Sequence, residues 1–485
     1  MIKNMSTDRN RQLVKDVVIY GIGNIGSKFL TMLLFPLLSF YIAREEIGYY
    51  DISLEAILFL LPLTTLQMRE STFRLLIDTT DESYRKSILS TTLFIETVIF
   101  AVILVLAAIL PFFFTIRYFP LIILSIYAYS FYEIYIQAVR SVYSSTQFVV
   151  ANIICSFFSV SFVLVLYFVF KRDIIEALFA GNILSRITAM LIIELPRRKV
   201  VGVFSIRYVK KQSLKEIFSY SIPMLWTAVS FAVITSSGKF IVNYFGGNEN
   251  SGVLALSQKY MVILLILGLS FYQAWQVTAV KNYNEKGSEK FFSEVFNKYA
   301  VVLCLLVLVI SFGLRSFKAY LLGSDFYQSA DLIYLYCASA LFFCLSIFFE
   351  VTYQCTKQTS KILYSIISCA IITLPLTIIL TKYFGMLGNL TALTIAYSYL
   401  FVFRYFQTKS TLPIQLKKEF FLSSAGLVTG GVIFYGAHNR LVDYLIFFIA
   451  ALLLCYFLFI SRNMYARITK DSRLSGDDVG GGDSP

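Results

Sequence analysis

Charged residues are scarce in this sequence, and their scarcity excludes a soluble globular protein. Only 15% of the 485 residues are Asp, Glu, Lys or Arg, whereas 58% are hydrophobic and the mean hydropathy is +0.72. A soluble chain of this length would need a much larger polar surface. The alternating ten-residue segments of a membrane β-barrel are also missing. The composition therefore predicts an all-α polytopic membrane protein.

Residue types that build catalytic and metal sites are scarce as well. His438 is the single histidine, and the seven cysteines are scattered without a CxxC pair. A lone histidine has neither a catalytic triad nor a ligand set, and the dispersed thiols favour neither a disulfide framework nor a metal site. We therefore expect no enzymatic activity, no metal and no cofactor.

Apolar runs of about twenty residues recur along the whole chain and predict about 14 transmembrane helices. We expect them near residues 16–43, 47–68, 88–114, 118–139, 147–169, 174–194, 216–244, 252–280, 296–314, 330–353, 362–381, 386–407, 420–437 and 443–461. The first run is too long for the apolar core of a signal peptide, so we expect it to remain in the mature protein.

The loops between these runs differ in charge, and the difference predicts their orientation. Most of the 42 Lys and Arg fall in one alternating set of loops, together with both termini. Cytoplasmic loops of membrane proteins accumulate Lys and Arg, so both termini should be cytoplasmic. The net charge of +13 follows from this topology and does not indicate nucleic acid. We expect a bacterial inner or plasma membrane location.

Two parts of the sequence are similar to each other, and this repeat predicts two lobes. "VKDVVIYGI" at 14–22 matches "LKEIFSYSI" at 214–222, and Gly48 answers to Gly252 in a second matched pair. A parallel repeat with a pseudo-two-fold axis along the membrane normal is typical of transporters that bind solute between the lobes. The predicted divisions are an N-terminal lobe at 1–194, a C-terminal lobe at 216–407, two further helices within 408–461 and a disordered cytoplasmic tail at 462–485. The basic cytoplasmic linker at 195–215 is either a charged connection or a segment lying on an anionic membrane surface.

A Gly-x-Gly-x-x-Gly pattern at Gly21, Gly23 and Gly26 suggests a dinucleotide site, with acidic residues about twenty positions later. That fingerprint must follow a strand, whereas these glycines lie inside a predicted membrane span. Small residues that permit close helix approach explain the pattern better.

Ionisable residues inside the predicted spans are the main candidates for function. Each costs about 2.5 to 3.5 kcal/mol on insertion scales, so most should face a cavity or each other. The cations come largely from the first, sixth, seventh and eighth helices and predict a cationic cleft that would suit a phosphate. The predicted substrate-binding residues are Lys28, Arg186, Lys239, Lys259 and Arg140, and the predicted ion-coupling or gating residues are Glu55, Glu133, Glu350 and Arg404.

Structural alternatives remain for several of these residues. Glu133 and Arg140 share a helical face and would either line a solute path or form an intrahelical network. Lys259 and Glu55 would alternatively form a salt bridge between the lobes. Lys239 lies near the outer end of its helix and would alternatively extend its amine to the interface.

Several stretches together resemble the Wzx-type polysaccharide and oligosaccharide-lipid flippases of the multidrug/oligosaccharidyl-lipid/polysaccharide (MOP) exporter superfamily. The Gly-rich opening with Pro36 and the turn from Glu45 to Tyr50 has the layout of that family. The stretch "FRLLIDTTDESYRKSILSTTL" at 73–93 resembles its first cytoplasmic loop, and Gly385 and Gly388 resemble its entry to helix twelve.

The resemblance implies two lobes of six helices plus two C-terminal helices. It also implies transport of an undecaprenyl-pyrophosphate-linked oligosaccharide from the inner to the outer leaflet by alternating access. The expected partners are that substrate, membrane lipids and other polysaccharide-assembly membrane proteins, and we expect a monomer. The alternative is a multidrug/cation antiporter of the same superfamily, and a polysaccharide polymerase or O-acetyltransferase is less favoured because the outward loops are short.

Overall fold

The computed structural model describes residues 26, 32, 34–77, 79, 81–113, 115–196, 198–283, 285, 287–356, 358–437 and 439–477. Within these residues the chain is helical without strands, as the composition predicts. Eleven helical stretches of the described residues are long and apolar enough to cross a membrane, and two of them each contain two helices joined at a glycine.

The helices follow the predicted order. Residues 34–38 form the described end of the first predicted span. The following helices are α1 Arg44–Thr65, α2 Met68–Ile77, α3 Glu82–Ile109, α4 Phe119–Val142, α5 Ser145–Leu164 and α6 Ile174–Glu194. The stretch Lys211–Asn282 breaks at Gly247 into α7 (211–246) and α8 (248–282). Next come α9 Ser288–Ser316 and α10 Ser329–Cys355, and the stretch Thr359–Thr408 breaks at Gly385 into α11 (359–384) and α12 (386–408). The last two are α13 Lys418–Gly436 and α14 Arg440–Asp477.

The two breaks occur at glycines because the backbone turns there into a region that disfavours a side chain. Gly247 has a φ of 69° and Gly385 a φ of 58°. Each break separates two helices, so the predicted pairs 216–244 with 252–280 and 362–381 with 386–407 are confirmed as separate helices.

Some predicted ends differ from the structure. The predicted span 47–68 runs through Leu66 and Gln67, where left-handed φ values of 44° and 53° end α1 and start α2. Helix α3 begins at Glu82 rather than 88 because Asp81 Oδ1 accepts a hydrogen bond from Ser83 N at 2.8 Å. The backbone N–H groups of Ser83 and Tyr84 also hold the pKa of Asp81 below its usual value.

The helix α14 continues to Asp477. The stretch before Gly476 contains no helix-breaking proline or glycine. The disordered tail at 462–485 stays a prediction.

The packing places the candidate site between the N-terminal and C-terminal helices. Helix α1 packs along the stretch that contains α7 and α8, while α10 packs against α11 and α12. Helix α1 contains Pro62 in its interior. A proline lacks the backbone N–H that would bond the carbonyl four residues earlier, here that of Leu58. The division at 195–215 remains a prediction for the lobes as folding units.

Candidate functional site

A cavity of about 560 Å³ separates the N-terminal helices from the C-terminal helices. Helices α1 and α2 line one side, and α7, α8, α10, α11 and α12 line the other. The lining positions fall in the halves of these helices nearer the basic loops, except on α7, where they run from Met224 to Ser236 across the middle of the helix. The wall is mainly apolar, and its charged lining residues are Glu55, Arg69, Glu70, Glu350 and Arg404.

The charges of this cavity come from both sides of the molecule. Arg69 and Glu70 belong to the N-terminal helices, whereas Glu350 and Arg404 belong to the C-terminal helices. Three carboxylates thus accompany two guanidinium groups along this wall. The sequence predicted a cationic cleft, and the described cavity instead contains charges of both signs.

Arg69 is held by the start of α2 and by one residue of α4. Its Nη1 donates to Glu133 Oε2 at 3.0 Å, and its Nε donates to Gln67 Oε1 at 3.1 Å. Glu70 lies 3.4 Å from the same Nε. The left-handed turn at Leu66 and Gln67 brings these groups together. About a third of the Arg69 side chain remains exposed, and Arg69 is a lining residue of the cavity.

Arg404 lies at the centre of a polar network across four C-terminal helices. Its side chain is 1% exposed, and Nη1 donates to Glu350 Oε2 at 2.8 Å. Its Nε donates to Ser365 Oγ at 3.1 Å. Tyr272 OH donates to the other Glu350 oxygen at 3.4 Å and accepts from Gln354 Nε2 at 3.1 Å. The network orients Glu350 and Tyr272 along the cavity wall.

Lys239 links the two sides of the molecule at the far end of this cavity. Its Nζ lies 2.9 Å from Asp51 Oδ2 and 2.8 Å from Glu55 Oε2. Ser236 Oγ donates to Glu55 Oε1 at 2.5 Å. These groups are almost completely buried, so breaking one contact would leave a charge without compensation in a medium of low dielectric. Lys239 therefore ties α7 to α1, and its charge is balanced by carboxylates.

Beyond Lys239, the halves of the molecule meet without space between them. A Cβ on Gly48 would lie 1.8 Å from Asn248 O, and a Cβ on Gly252 would lie 1.9 Å from Arg44 O. The contact is reciprocal, since positions 44 and 48 meet 248 and 252. Arg44 Nε also lies 3.3 Å from Glu249 Oε2. We call this contact, made by residues 44–55 and 239–252, the outer seam.

Three of the predicted cations lie apart from the cavity, each over an aromatic ring. The distances to the ring centroids are 3.4 Å for Arg186 over Tyr129, 4.2 Å for Lys259 over Phe35 and 4.4 Å for Arg140 over Phe73. An aromatic face stabilises a desolvated cation. Arg186 also donates to Asn182 O at 2.7 Å. None of these three cations is among the lining residues of the cavity between the halves.

Other predicted residues have partners that the sequence did not indicate. The sequence paired Glu133 with Arg140 as one alternative, an intrahelical network, whereas the structure shows Glu133 in contact with Arg69. Glu55 contacts Lys239 rather than Lys259. Lys28, Gly21, Gly23 and the single histidine lie outside the described residues. The roles assigned to all these residues in binding or coupling stay predictions.

Two residues of the site were missed by the sequence analysis. Asp51 precedes Glu55 by four positions, and this helical spacing would have placed both carboxylates on one face of α1. Arg69 was assigned to a basic loop because the turn at Leu66 and Gln67 has no glycine to mark it.

Comparison with known proteins identifies the family and the fold. The sequence profile of the polysaccharide biosynthesis protein family matches residues 13–276, which is more than half of the chain. Among curated proteins, none matches the sequence.

Solved structures match over nearly their full length at low identity. The lipid II flippase MurJ in an inward closed conformation has a TM-score of 0.72 and 14% identity, covering 92% of this chain and 99% of that one. An inward-facing multidrug resistance MATE family transporter of the MOP superfamily has a TM-score of 0.64 and 11% identity, covering 80% and 98%. A MOP superfamily transporter from Pyrococcus furiosus, described by the reverse polarity of its binding pocket, has a TM-score of 0.52 and 12% identity, covering 86% of this chain and 96% of that one.

These identities establish a shared fold, and the profile match establishes the family. The resemblance seen in the sequence is thereby confirmed: the chain belongs to the polysaccharide biosynthesis protein family and has the multi-pass, all-α fold of the MOP superfamily transporters.

Proposed function

We propose that the chain is a flippase for undecaprenyl-pyrophosphate-linked oligosaccharide repeat units. It would move them from the inner to the outer leaflet of a bacterial cytoplasmic membrane for capsule, O-antigen or exopolysaccharide synthesis. The observation that carries the proposal is the cavity between the two halves, with Arg69 on one side and Arg404 on the other. Sugars and pyrophosphate cannot cross hydrocarbon unaided, because each unpaired polar group costs several kcal/mol there.

The cavity offers groups for each part of such a head group. Guanidinium groups bind phosphate through two parallel hydrogen bonds, and Arg69, about a third exposed, is already oriented by Glu133. Arg404 is 1% exposed and orients Glu350 in the opposite wall. Tyr272 and Tyr397 in the wall provide aromatic faces and hydroxyls of the kind that sugar rings contact. The polyprenyl chain would stay in the bilayer while the head group occupies the cavity.

The conformation agrees with one state of an alternating-access cycle. If the basic loops are cytoplasmic, the cavity lies in the cytoplasmic half and the outer seam closes the opposite half. Transport then requires the outer seam to open and the cavity to close as the lobes rock. The lysine that bridges Asp51 and Glu55 would have to exchange those contacts in each cycle.

A flipping assay tests the proposal directly. Purified protein is reconstituted into vesicles with a fluorescent undecaprenyl-pyrophosphate oligosaccharide, and the fraction moved to the opposite leaflet is measured by quencher accessibility. We expect protein-dependent flipping that falls roughly tenfold in Arg69→Gln, because a charge-assisted phosphate contact is lost. Lys409→Gln, a substitution of an exposed lysine on the same side, is the matched control. Absence of protein-dependent flipping would overturn the proposal.

A cation antiporter is the second candidate, and one observation favours it. The cavity wall contains Glu55, Glu70 and Glu350, and carboxylates suit a cationic drug. In that case vesicles would take up a lipophilic cation in exchange for protons, and Glu350→Gln would reduce uptake. Deletion of the protein would then raise drug sensitivity, whereas a flippase deletion would leave a lipid-linked oligosaccharide on the inner leaflet.

A further inference from the structure

A second cavity, separate from the one between the halves, lies where α3 begins. It has a volume of about 320 Å³ and is lined by Glu82, Arg85, Lys86, Lys199 and Val203. We call it the α3 pocket. Residues 82–86 belong to the first turns of α3, while Lys199 and Val203 belong to the segment that connects α6 to α7. The pocket thus lies at the basic end of the membrane spans.

The α3 pocket has more positive than negative charge. Three cations face one carboxylate, and Glu82 is already occupied by Lys86 at 3.3 Å. Arg85 donates from Nη2 to Thr79 O at 3.3 Å, while its Nε is buried and has no hydrogen-bond partner. The excess of positive charge in the lining therefore points to an anion.

The connecting segment is held in place by hydrogen bonds, so the backbone of Lys199 has a fixed position at the pocket. Glu194 Oε1 accepts from the backbone N–H groups of Val200, Val201 and Gly202 at 2.9 to 3.0 Å. Tyr143 OH accepts from Lys199 N at 3.0 Å. A site whose residues are ordered before binding loses less conformational entropy when a ligand enters.

The surroundings of the pocket have the composition of a membrane interface. Immediately after Val203, the large side chains of Phe204, Ile206 and Tyr208 are exposed, with Ile206 at 71%. The neighbouring Arg207 and Lys210 are exposed as well. Exposed apolar side chains mixed with Lys and Arg are typical of segments that lie in the headgroup region of an anionic leaflet.

We propose that the α3 pocket binds the phosphate of an anionic glycerophospholipid, with Phe204 and Ile206 inserted beside its acyl chains. The lipid would contact α3 and the connecting segment at the same time. That segment joins the two halves, and Ser87 Oγ lies 2.7 Å from Ser213 Oγ at the start of α7. A bound lipid would therefore stabilise the present arrangement of α3, the segment and α7. The proposal does not depend on the transported substrate.

Native mass spectrometry of the purified full-length protein tests the binding. The probes are dioleoyl-phosphatidylglycerol and dioleoyl-phosphatidylcholine at equal concentration. We expect preferential binding of phosphatidylglycerol and a rise in the melting temperature with that lipid only. Lys199→Gln should weaken binding of phosphatidylglycerol several-fold, and Arg85→Gln with Lys199→Gln roughly tenfold or more. Lys199 is exposed, so its single variant is expected to fold normally.

Two results would overturn the proposal. Equal binding of phosphatidylglycerol to the wild-type protein, to Lys199→Gln and to the control Lys409→Gln would show that the pocket is not the site. Equal stabilisation by inorganic phosphate, without any added effect of the lipid, would show a site for a free anion instead. Loss of phosphatidylglycerol binding in Lys199→Gln but not in Lys409→Gln supports it.

Discussion

Lys239 has two carboxylate partners in the interior of the protein, and this arrangement determines what a substitution there does. Lys239→Met removes the cation and leaves Asp51 and Glu55 buried side by side. We expect a loss of about 3 to 5 kcal/mol in the free energy of unfolding, as for other buried pairs that lose one partner. The melting temperature in detergent measures this change.

A compensating set of substitutions separates charge from packing. Lys239→Met combined with Asp51→Asn and Glu55→Gln removes all three charges, and most of the lost stability should return. Lys409→Met is the control for loss of a lysine from the surface. If Lys239→Met melted at the wild-type temperature, the buried ion pairs would contribute nothing measurable to stability.

At the scale of single residues, the sequence identifies the charged residues within the spans more accurately than it identifies their partners. The cost of charge in a membrane was sufficient to select Glu55, Lys239, Glu350 and Arg404, and all four lie in ion pairs. The partner of each depends on how distant helices pack, which no local pattern contains. Lys239 was therefore expected to face substrate, whereas Asp51, four positions before Glu55, takes part of its charge.

At the scale of helices, α1 and α8 cross closely because the two residues at the crossing, Gly48 and Gly252, have no side chains. Gly48→Ala would place a Cβ 1.8 Å from Asn248 O, so the helices must separate. We expect the outer seam to close poorly and the rate of flipping to fall roughly tenfold or more, because packed helices tolerate little added volume.

The matched substitution is Gly426→Ala on α13, where an added Cβ meets no atom within 4 Å. This variant should flip at the wild-type rate. Flipping by Gly48→Ala at the same rate as Gly426→Ala would show that the close crossing is not required for transport.

A carboxylate at the end of α6 orders the segment between the halves. Glu194→Ala removes the acceptor for three backbone N–H groups and for Tyr143 OH. We expect the segment to detach and trypsin to cleave after Arg198 or Lys199 several-fold faster, because unanchored exposed loops are cleaved preferentially. Gel electrophoresis of timed digests measures the rate. Glu285→Ala, at an exposed loop residue, should leave it unchanged.

Hydrophobic runs predict the existence of most helices because a membrane span needs about twenty apolar residues. They do not predict helix ends outside the apolar layer. Helices α3 and α9 begin with polar turns at Glu82 and Ser288, before the predicted 88 and 296. The turn at Leu66 and Gln67 was also missed, because neither residue type usually adopts a positive φ.

At the scale of the whole molecule, the proposed transport moves charge across the membrane. A pyrophosphate with about two negative charges that moves outward would gain about 4.6 kcal/mol per 100 mV, interior negative. Flipping in vesicles should therefore accelerate when a potassium gradient with valinomycin makes the cytoplasmic side negative. Unchanged flipping after collapse of the potential would exclude this energy source.

Measurements in the same vesicles distinguish coupling to protons or sodium from transport driven by the membrane potential. If Glu55, Glu133 or Glu350 carries an ion, a gradient of pH or sodium would change the rate at zero potential. Arg69 and Arg404 hold Glu133 and Glu350 as ion pairs in the present conformation, so ion uptake would require those pairs to open.

Pro62 in α1 changes the hydrogen bonding of the main chain. Because a proline has no backbone N–H, the carbonyl of Leu58 lacks its usual intrahelical donor, and both residues line the cavity between the halves. A carbonyl left in this way accepts a hydrogen bond from water or from a passing hydroxyl. A main-chain carbonyl that faces the cavity would supply a polar contact that depends on no side chain. For the proposed cargo, such a contact would not depend on the identity of the sugar.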